Sequence, residues 1–195
     1  QETTMGNIGI FAFVEKNQGG VYQYTLSCVQ ALAATKGNNY TVFTYVGNTD
    51  LDNLGLKIVK VKKIRLEKLA ALLSLLFRSL NPLAVFYSDL FRGLDFVVAP
   101  VASDFIYLAG KPFIFTLHDM QEQYYPEFFS LKQRAWRRIR NLSLANMASR
   151  ILCESTYVKN DIIKFLGVCS DKITVLQSPA VVEFTKNEYS EENLA

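Results

Sequence analysis

The chain has 195 residues, of which 50% are hydrophobic and 20% charged, and its formal net charge is +3. This length suits one large domain that buries roughly 70% of its unfolded surface. The charge balance is too mild for nucleic-acid binding, which usually requires a concentrated basic face, and a single histidine excludes a metal site built from several histidines.

The cysteines and apolar runs indicate where the chain resides. Cys28, Cys153 and Cys169 are widely spaced and form no CxxC motif, which is typical of a reducing compartment. The N-terminal apolar run lacks the basic flank and cleavage site of a signal peptide. The longest apolar stretch, residues 69–77, is far shorter than the roughly 20 residues that cross a bilayer. We therefore expect a soluble, cytoplasmic protein.

Strand-like and helix-like segments alternate along the chain. Near-continuous apolar runs are typical of strands covered on both faces, and apolar residues three or four apart indicate helices. In chain order the predicted elements are strand 8–14, helix 21–34, strands 40–46 and 56–61, helix 64–80, strands 96–99 and 113–117, helix 131–147, strand 151–153, a helix running to residue 166, and strand 173–176. Ser155 is the predicted N-cap of the last helix, and Gly167 its C′ residue.

This alternation predicts an α/β fold with a mostly parallel sheet and right-handed crossovers. Because parallel strands share one carboxyl edge, the loops that follow them should converge on one ligand crevice. The side chains and turns expected there are Gly19, Gly20, Pro100, Ser103, Asp104, His118, Asp119, Glu154, Ser155, Thr156 and Gln177.

Gly19 and Gly20 lie between a predicted strand and a predicted helix. Glycines let a backbone approach a ligand closely, and free N–H groups at a helix N-terminus favour an anion. An ordinary turn explains the pair equally well. The sequence contains no GxGxxG fingerprint after a strand and no P-loop.

His118 and Asp119 end an apolar strand and precede a polar aromatic segment. A lone histidine is often a packed core residue, but this position favours a site residue. A Ser-His-Asp triad is not supported, because no serine lies in a nucleophile elbow. We expect the aromatic residues that follow, Tyr124, Tyr125, Phe128 and Phe129, to lie mostly in the core, with one or two lining the crevice.

The predicted helix 131–147 carries a basic segment. Most such segments are solvated faces, but contact with anionic lipid is an alternative, with each basic residue contributing roughly 1 kcal/mol near the membrane surface. Helix 64–80, if partly exposed, would assist by lying in the membrane interface. The basic residues are Lys132, Arg134, Arg137, Arg138 and Arg140, beside Trp136.

Three segments of the chain resemble the N-terminal half of family 4 glycosyltransferases, which are retaining, two-domain enzymes of the GT-B fold. They are GGVYQYTL from Gly19, HDMQEQYYPEFF from His118, and residues 150–176. The HD-x-Q-x-x-x-YPEFF pattern is the most specific of the three. The resemblance covers nearly the whole chain and implies a Rossmann-like three-layer domain that forms one half of a GT-B architecture.

The resemblance also implies a division of labour. Residues 5–186 would form the acceptor-side domain, and 187–195 would begin the linker to a missing C-terminal domain that binds the nucleotide-sugar donor. By position, Gly19 and Gly20 would present N–H groups to the donor diphosphate, and His118 would contact the transferred sugar or position the acceptor. Glu154, Ser155 and Thr156 would line the cleft floor. Gln177-Ser178-Pro179 departs from the family's usual Pro-Asn.

The reaction implied is transfer of a hexose, with retention, from a nucleotide-sugar to a glycan or glycolipid acceptor in surface polysaccharide biosynthesis. Neither a metal nor another cofactor is expected. Asp50 and Asp52 resemble the metal-binding DxD pair of another glycosyltransferase architecture, but solvated turn acids are the more common explanation. The alternatives are a non-catalytic glycan-binding or scaffold domain and a sugar-nucleotide epimerase of the same fold. The expected partners are the two substrates, the missing domain and, at the periphery, an anionic membrane.

Overall fold

The computed structural model describes residues 5–46, 48–52, 54–63, 65–77 and 81–177. Seven strands in these residues form one sheet in the order β3-β2-β1-β4-β5-β6-β7, and every neighbouring pair is parallel. The strands are β1 (Gly6–Phe11), β2 (Asn38–Tyr45), β3 (Lys57–Val61), β4 (Phe96–Ala99), β5 (Phe113–Thr116), β6 (Arg150–Cys153) and β7 (Ile173–Val175). The helices are α1 (Gly20–Ala33), α2 (Glu67–Phe77), α3 (Asp104–Leu108), α4 (Leu131–Met147) and α5 (Thr156–Leu166).

Alternate residues of the β1 segment enter two separate cores. Ile10 and Ala12 pack with Val29 of α1 in one cluster, whereas Phe11 and Phe13 belong to a larger cluster that includes residues of α2, α3 and α4. Successive side chains of a strand point to opposite faces of its sheet, so both faces are covered by helices. The predicted α/β, Rossmann-like three-layer fold is confirmed.

The span of α4 and both ends of α5 agree with the sequence predictions, whereas the N-cap of α4 was not predicted. α4 spans the predicted residues, and its N-cap Ser130 accepts a hydrogen bond from the Gln133 N–H. Ser155 accepts from the Val158 N–H at the start of α5, and Gly167 adopts the left-handed conformation after its end, with φ of +66°. Predicted strand 8–14 was displaced along the chain, because pairing begins at Gly6 and ends at Phe11, while residues 12–14 stay buried without continuing the strand.

Some expectations concern residues outside the described ranges. Of predicted helix 64–80, residues 64 and 78–80 are not described, and the predicted linker 187–195 is not described either. The five-residue α3 and the 3-10 turn Pro82–Tyr87 were not predicted. Both are too short to show a helical period of apolar residues.

Phe11, the last residue of β1, lies at the centre of an aromatic cluster. Its side chain is fully buried, and its ring centroid lies 5.2 to 5.5 Å from those of Phe13, Phe43 and Phe91. Replacing it with alanine opens a large cavity, so we expect Phe11→Ala to lower the free energy of unfolding by about 3 to 5 kcal/mol. Phe128→Ala removes the same ring from an exposed position and should change stability by less than about 0.5 kcal/mol. Urea denaturation measures both; equal effects would contradict the assigned core.

Candidate functional site at the carboxyl edge of the sheet

The strand order reverses between β1 and β4. The chain adds strands outward in one direction through β2 and β3, and in the other through β4 to β7. The loops that follow β1 and β4 therefore leave the sheet on diverging paths and open a crevice at the carboxyl edge. Two cavities lie at this edge, of about 540 and 270 Å³, and both are lined by Gln18 from the first loop and Ala102 from the second.

His118 joins three of the strand ends at this edge. One ring nitrogen, Nδ1, lies 3.0 Å from Glu154 Oε2 after β6, and the other, Nε2, lies 3.0 Å from the Pro100 carbonyl oxygen after β4. A carbonyl only accepts, so Nε2 is the donor in the second contact. These contacts fix the ring plane and hold the imidazole, 17% exposed, at the crevice.

Tyr24 of α1 supports the imidazole from beneath. Its ring meets the His118 ring edge to face at a centroid distance of 4.8 Å, and its hydroxyl lies 3.2 Å from Thr116 Oγ1. Burial raises the pKa of the Tyr24 phenol well above its ordinary value. The hydroxyl therefore stays neutral and keeps its hydrogen bond. Sequence reasoning did not identify Tyr24, although its helical spacing marked it as inward facing.

The 270 Å³ cavity brings the diglycine loop and the imidazole together. Gln18 and Val21, which flank the two glycines, line it with His118 and Asp119. Gly19 has φ of +55° and ψ of −122°, a conformation that residues with a side chain rarely adopt, and an added Cβ at Gly19 or Gly20 would meet no atom within 4 Å. The backbone here is open to a ligand.

Asp119 is part of an ion-pair network. Arg137 of α4 donates to Asp119 Oδ1 at 2.8 Å through Nη2 and to Glu122 Oε2 at 2.7 Å through Nε. Glu122 is only 1% exposed, so its charge depends on this guanidinium. Asp119 is thus engaged by a cation at the edge of the cavity.

The basic segment of α4 was misjudged in part. It is not one solvated or lipid-facing surface, because Arg137 is ion paired and Arg140 lines both cavities. Lys132, Arg134 and Arg138 are exposed. The helix turns about 100° per residue, so Arg137 and Arg140, three residues apart, face the same side. The three-residue spacing in the sequence was the signal that could have placed Arg137 and Arg140 on one face of α4.

Ser103 lines the larger cavity rather than the one beside His118. Ser103 is only 4% exposed, and its hydroxyl has no hydrogen-bond partner among the described residues. The Asp104 backbone begins α3, while its side chain lies outside the described part of the structure. The sequence did not identify the other polar lining residues, Gln18, Tyr45, Lys63, Arg65 and Lys68 among them.

The residues after β6 have different roles. The Glu154 carboxylate contacts His118, whereas the Ser155 hydroxyl is used as the N-cap of α5. Thr156 is exposed on the first turn of α5, and Gln177 is exposed after β7. Neither Ser155, Thr156 nor Gln177 lines the two crevice cavities. Ser178 and Pro179 lie outside the described residues.

The two carboxylates of the DxD pair, Asp50 and Asp52, have different partners. Asp50 accepts a hydrogen bond from the Tyr22 hydroxyl and pairs with Lys16 at 2.7 Å, while Asp52 pairs with Lys60 at 2.7 Å. The hydrogen bonds from Lys16 and Tyr22 lower the pKa of Asp50, and burial with the Asp50 contact raises that of Tyr22 to about 12. No group of three or more His, Cys, Asp or Glu side chains suited to a metal occurs among the described residues.

The aromatic segment after His118 was predicted mostly as core, and this was wrong. Tyr124, Tyr125 and Phe128 are exposed, and Phe129 packs against the Arg137 guanidinium at 5.1 Å. The segment forms two short 3-10 turns, Gln121–Gln123 and Pro126–Phe128. These turns keep the backbone on the surface, so the rings have no core to enter.

The fold is a Rossmann-like domain with a crevice at its topological switch point. A family model, Glycosyltransferase Family 4, matches residues 18–183. The chain therefore belongs to glycosyltransferase family 4. No curated protein matches it significantly.

A solved structure shares the fold. The chain is similar to a glycosyltransferase from Rickettsia africae ESF-5, with a TM-score of 0.52 and 16% sequence identity over 89% of the present chain. The chain spans 43% of the length of that protein. No helix in the described residues is long and apolar enough to cross a membrane.

The buried carboxylate of Glu122 gives a direct test of the network. Arg137→Gln removes its cation, so we expect a loss of about 3 kcal/mol in the free energy of unfolding, because the charge is left unpaired. Arg138→Gln, one position along the helix but exposed, should cost less than about 0.5 kcal/mol. Chemical denaturation at neutral pH compares the two. The network would be refuted if the variants were equally stable.

Proposed function

We propose that this chain is the acceptor-side domain of a glycosyltransferase that transfers a hexose, with retention, from a nucleotide-sugar to a glycan or glycolipid acceptor. The observation that carries the proposal is the crevice in which the diglycine loop and His118 line one cavity. Membership of the family supports sugar transfer. The product would belong to a surface polysaccharide made on the cytoplasmic side of the membrane.

The site is suited to a reaction that depends on positioning and charge. In a same-face displacement, the leaving diphosphate assists in deprotonating the acceptor, and the protein has to neutralise the developing phosphate charge and orient two sugars. The open backbone of Gly19 and Gly20 would receive the diphosphate. His118, whose two ring nitrogens are bound to Glu154 and Pro100, would hold the loops of the crevice so that the acceptor is positioned for attack, without a metal or a protein nucleophile.

The carboxylates of the crevice favour transfer over epimerisation. An epimerase of this fold would need free carboxylates as acid and base. Asp119 is paired with Arg137, and Glu154 is bound to His118. Neither is placed to exchange protons with a sugar ring on its own.

A second domain would supply most of the donor contacts. The chain is matched to less than half of the Rickettsia enzyme, and GT-B enzymes hold their donor between two domains. We propose that a C-terminal Rossmann-like domain completes the site.

His118 is the residue whose loss tests the proposal. In the two-domain enzyme we expect His118→Ala to lower kcat by about a hundredfold, comparable to the loss of one well-placed electrostatic contact. His118→Gln, which keeps a donor, should lose less. Transfer of labelled sugar from a panel of nucleotide-sugars measures kcat, with circular dichroism to establish folding. An unchanged kcat in folded His118→Ala would contradict the proposed role.

We further propose peripheral contact with an anionic membrane, centred on α2 rather than α4. Leu69, Leu72, Leu76 and Phe77 recur at helical spacing on α2 and are 47 to 75% exposed. An exposed apolar stripe of this kind is suited to a membrane interface, and the exposed cations of α4 would add attraction to anionic lipid.

Flotation with vesicles of phosphatidylglycerol and phosphatidylcholine tests this contact. Leu72→Glu/Leu76→Glu should reduce the bound fraction about tenfold, because two carboxylates are placed in the apolar interface. Leu131→Glu, an exposed leucine at the start of α4, is the matched control and should bind almost as wild type. A larger loss of the bound fraction with Leu131→Glu than with Leu72→Glu/Leu76→Glu would indicate that α4, and not α2, contacts the membrane.

A further inference from the structure

The larger cavity of the crevice carries an excess of positive charge that the proposed transfer chemistry does not use. Its cationic lining residues are Lys63, Arg65, Lys68 and Arg140, and its only described carboxylate is that of Glu15. Glu15 pairs with Lys63 at 2.7 Å, which leaves three cations without a carboxylate partner among the described residues. We propose that this cavity binds a phosphate or diphosphate group carried by the acceptor.

Two buried donors in the cavity wall lack partners. The Ser103 hydroxyl and the Arg140 Nε are both shielded from solvent, and neither has a hydrogen-bond partner in the described part of the chain. Buried polar groups in folded proteins are nearly always hydrogen bonded, so a group that is not calls for a ligand or water at that point. A phosphate oxygen accepts from both a hydroxyl and a guanidinium.

The cations come from two parts of the chain. Lys63 and Arg65 follow β3, Lys68 lies in the first turn of α2, and Arg140 is on α4. Lys63, Arg65 and Lys68 belong to one basic stretch of the sequence, and the tertiary fold adds Arg140 to them around one volume of about 540 Å³. Ordinary solvated charges would be expected to spread apart, because like charges repel.

The position of the cavity favours the acceptor over the donor. The cavity lies on the β1–β3 side of the crevice and shares Gln18, Ala102 and Arg140 with the cavity beside His118. A phosphate seated there would leave the attached sugar at the shared wall, next to the imidazole.

The charge distinguishes a phosphate from other groups. A neutral glycan would accept hydrogen bonds from these side chains but leave their positive charge uncompensated, and a single carboxylate would pair with only one guanidinium group. A phosphate or diphosphate carries about two or more negative charges at neutral pH and has enough acceptor oxygens for both unpartnered donors and the surrounding cations.

The assignment to the acceptor rests on the proposed function, whereas the anion site itself can be tested without catalysis. Isothermal titration of the 195-residue chain with glucose 6-phosphate, geranyl diphosphate and glucose compares a soluble sugar phosphate, a lipid diphosphate and a neutral sugar. We expect either phosphorylated probe to bind at least about tenfold more tightly than glucose. The tighter of the two identifies the source of the phosphate.

Variants locate the binding. Arg140→Gln should weaken binding of the preferred probe about tenfold. Ser103→Ala removes only a hydroxyl and should weaken binding about threefold. Arg134→Gln removes the same charge from an exposed position on the same helix and should change affinity less than twofold. Thermal unfolding of each variant verifies that the domain is intact.

Three results would overturn the proposal. One is equal affinity for glucose and both phosphates; another is a loss in Arg134→Gln as large as in Arg140→Gln. The third is competition between UDP and the probe, which would assign the cavity to the donor. Binding as expected with no sugar transfer in the two-domain enzyme would instead contradict the proposed function alone, because the titration measures no chemistry.

Discussion

Because every strand pair in the sheet is parallel, each loop that follows a strand is delivered to the same edge. The ends of β1, β4, β5 and β6 thus bring together four segments that are far apart in the sequence. His118, which follows β5, links three of these segments through its contacts with Pro100 after β4 and Glu154 after β6. The location of the crevice is therefore set by backbone pairing, and its shape by one imidazole whose two nitrogens are both bound.

The cations around this edge serve different purposes, although they lie on neighbouring turns. Arg137 forms ion pairs with the buried Glu122 and with Asp119, so its charge is compensated within the protein. Arg140, one turn further along α4, lines both cavities, and its Nε has no hydrogen-bond partner among the described residues. A charge already paired contributes to stability, whereas a charge whose donor is left open is suited to a ligand.

The sequence predicted the architecture well because the relevant signals are local. Apolar runs marked all seven strands, and Ser155 and Gly167 marked the ends of α5 by their capping roles. Interactions between distant segments left no such signal. Nothing in the sequence shows that Glu122 is buried against a guanidinium 15 positions away, or that Ser103 shares a cavity with cations of the β3–α2 segment and α4. The aromatic residues of the segment after His118 were misleading, because short 3-10 turns hold their rings at the surface.

The site predictions divide along the same line. His118, Asp119 and the residues flanking Gly19 and Gly20 meet at one cavity, as parallel topology required. Ser155 is used by its own helix, because a hydroxyl at an N-cap binds the nearest free N–H. Topology places residues at an edge, but only local hydrogen bonding decides which of them remain available to a ligand.

The central claim is that the diglycine loop and the imidazole face one crevice, and paramagnetic relaxation tests it directly. His118 is the only histidine, so its ring proton signal is unique. In a chain with Cys28 and Cys169 replaced by serine, a nitroxide at Gln18→Cys should broaden that signal strongly. The same label at Lys36→Cys, which precedes β2 at the opposite edge, should leave it nearly unchanged. Broadening from Lys36 and none from Gln18 would contradict the account.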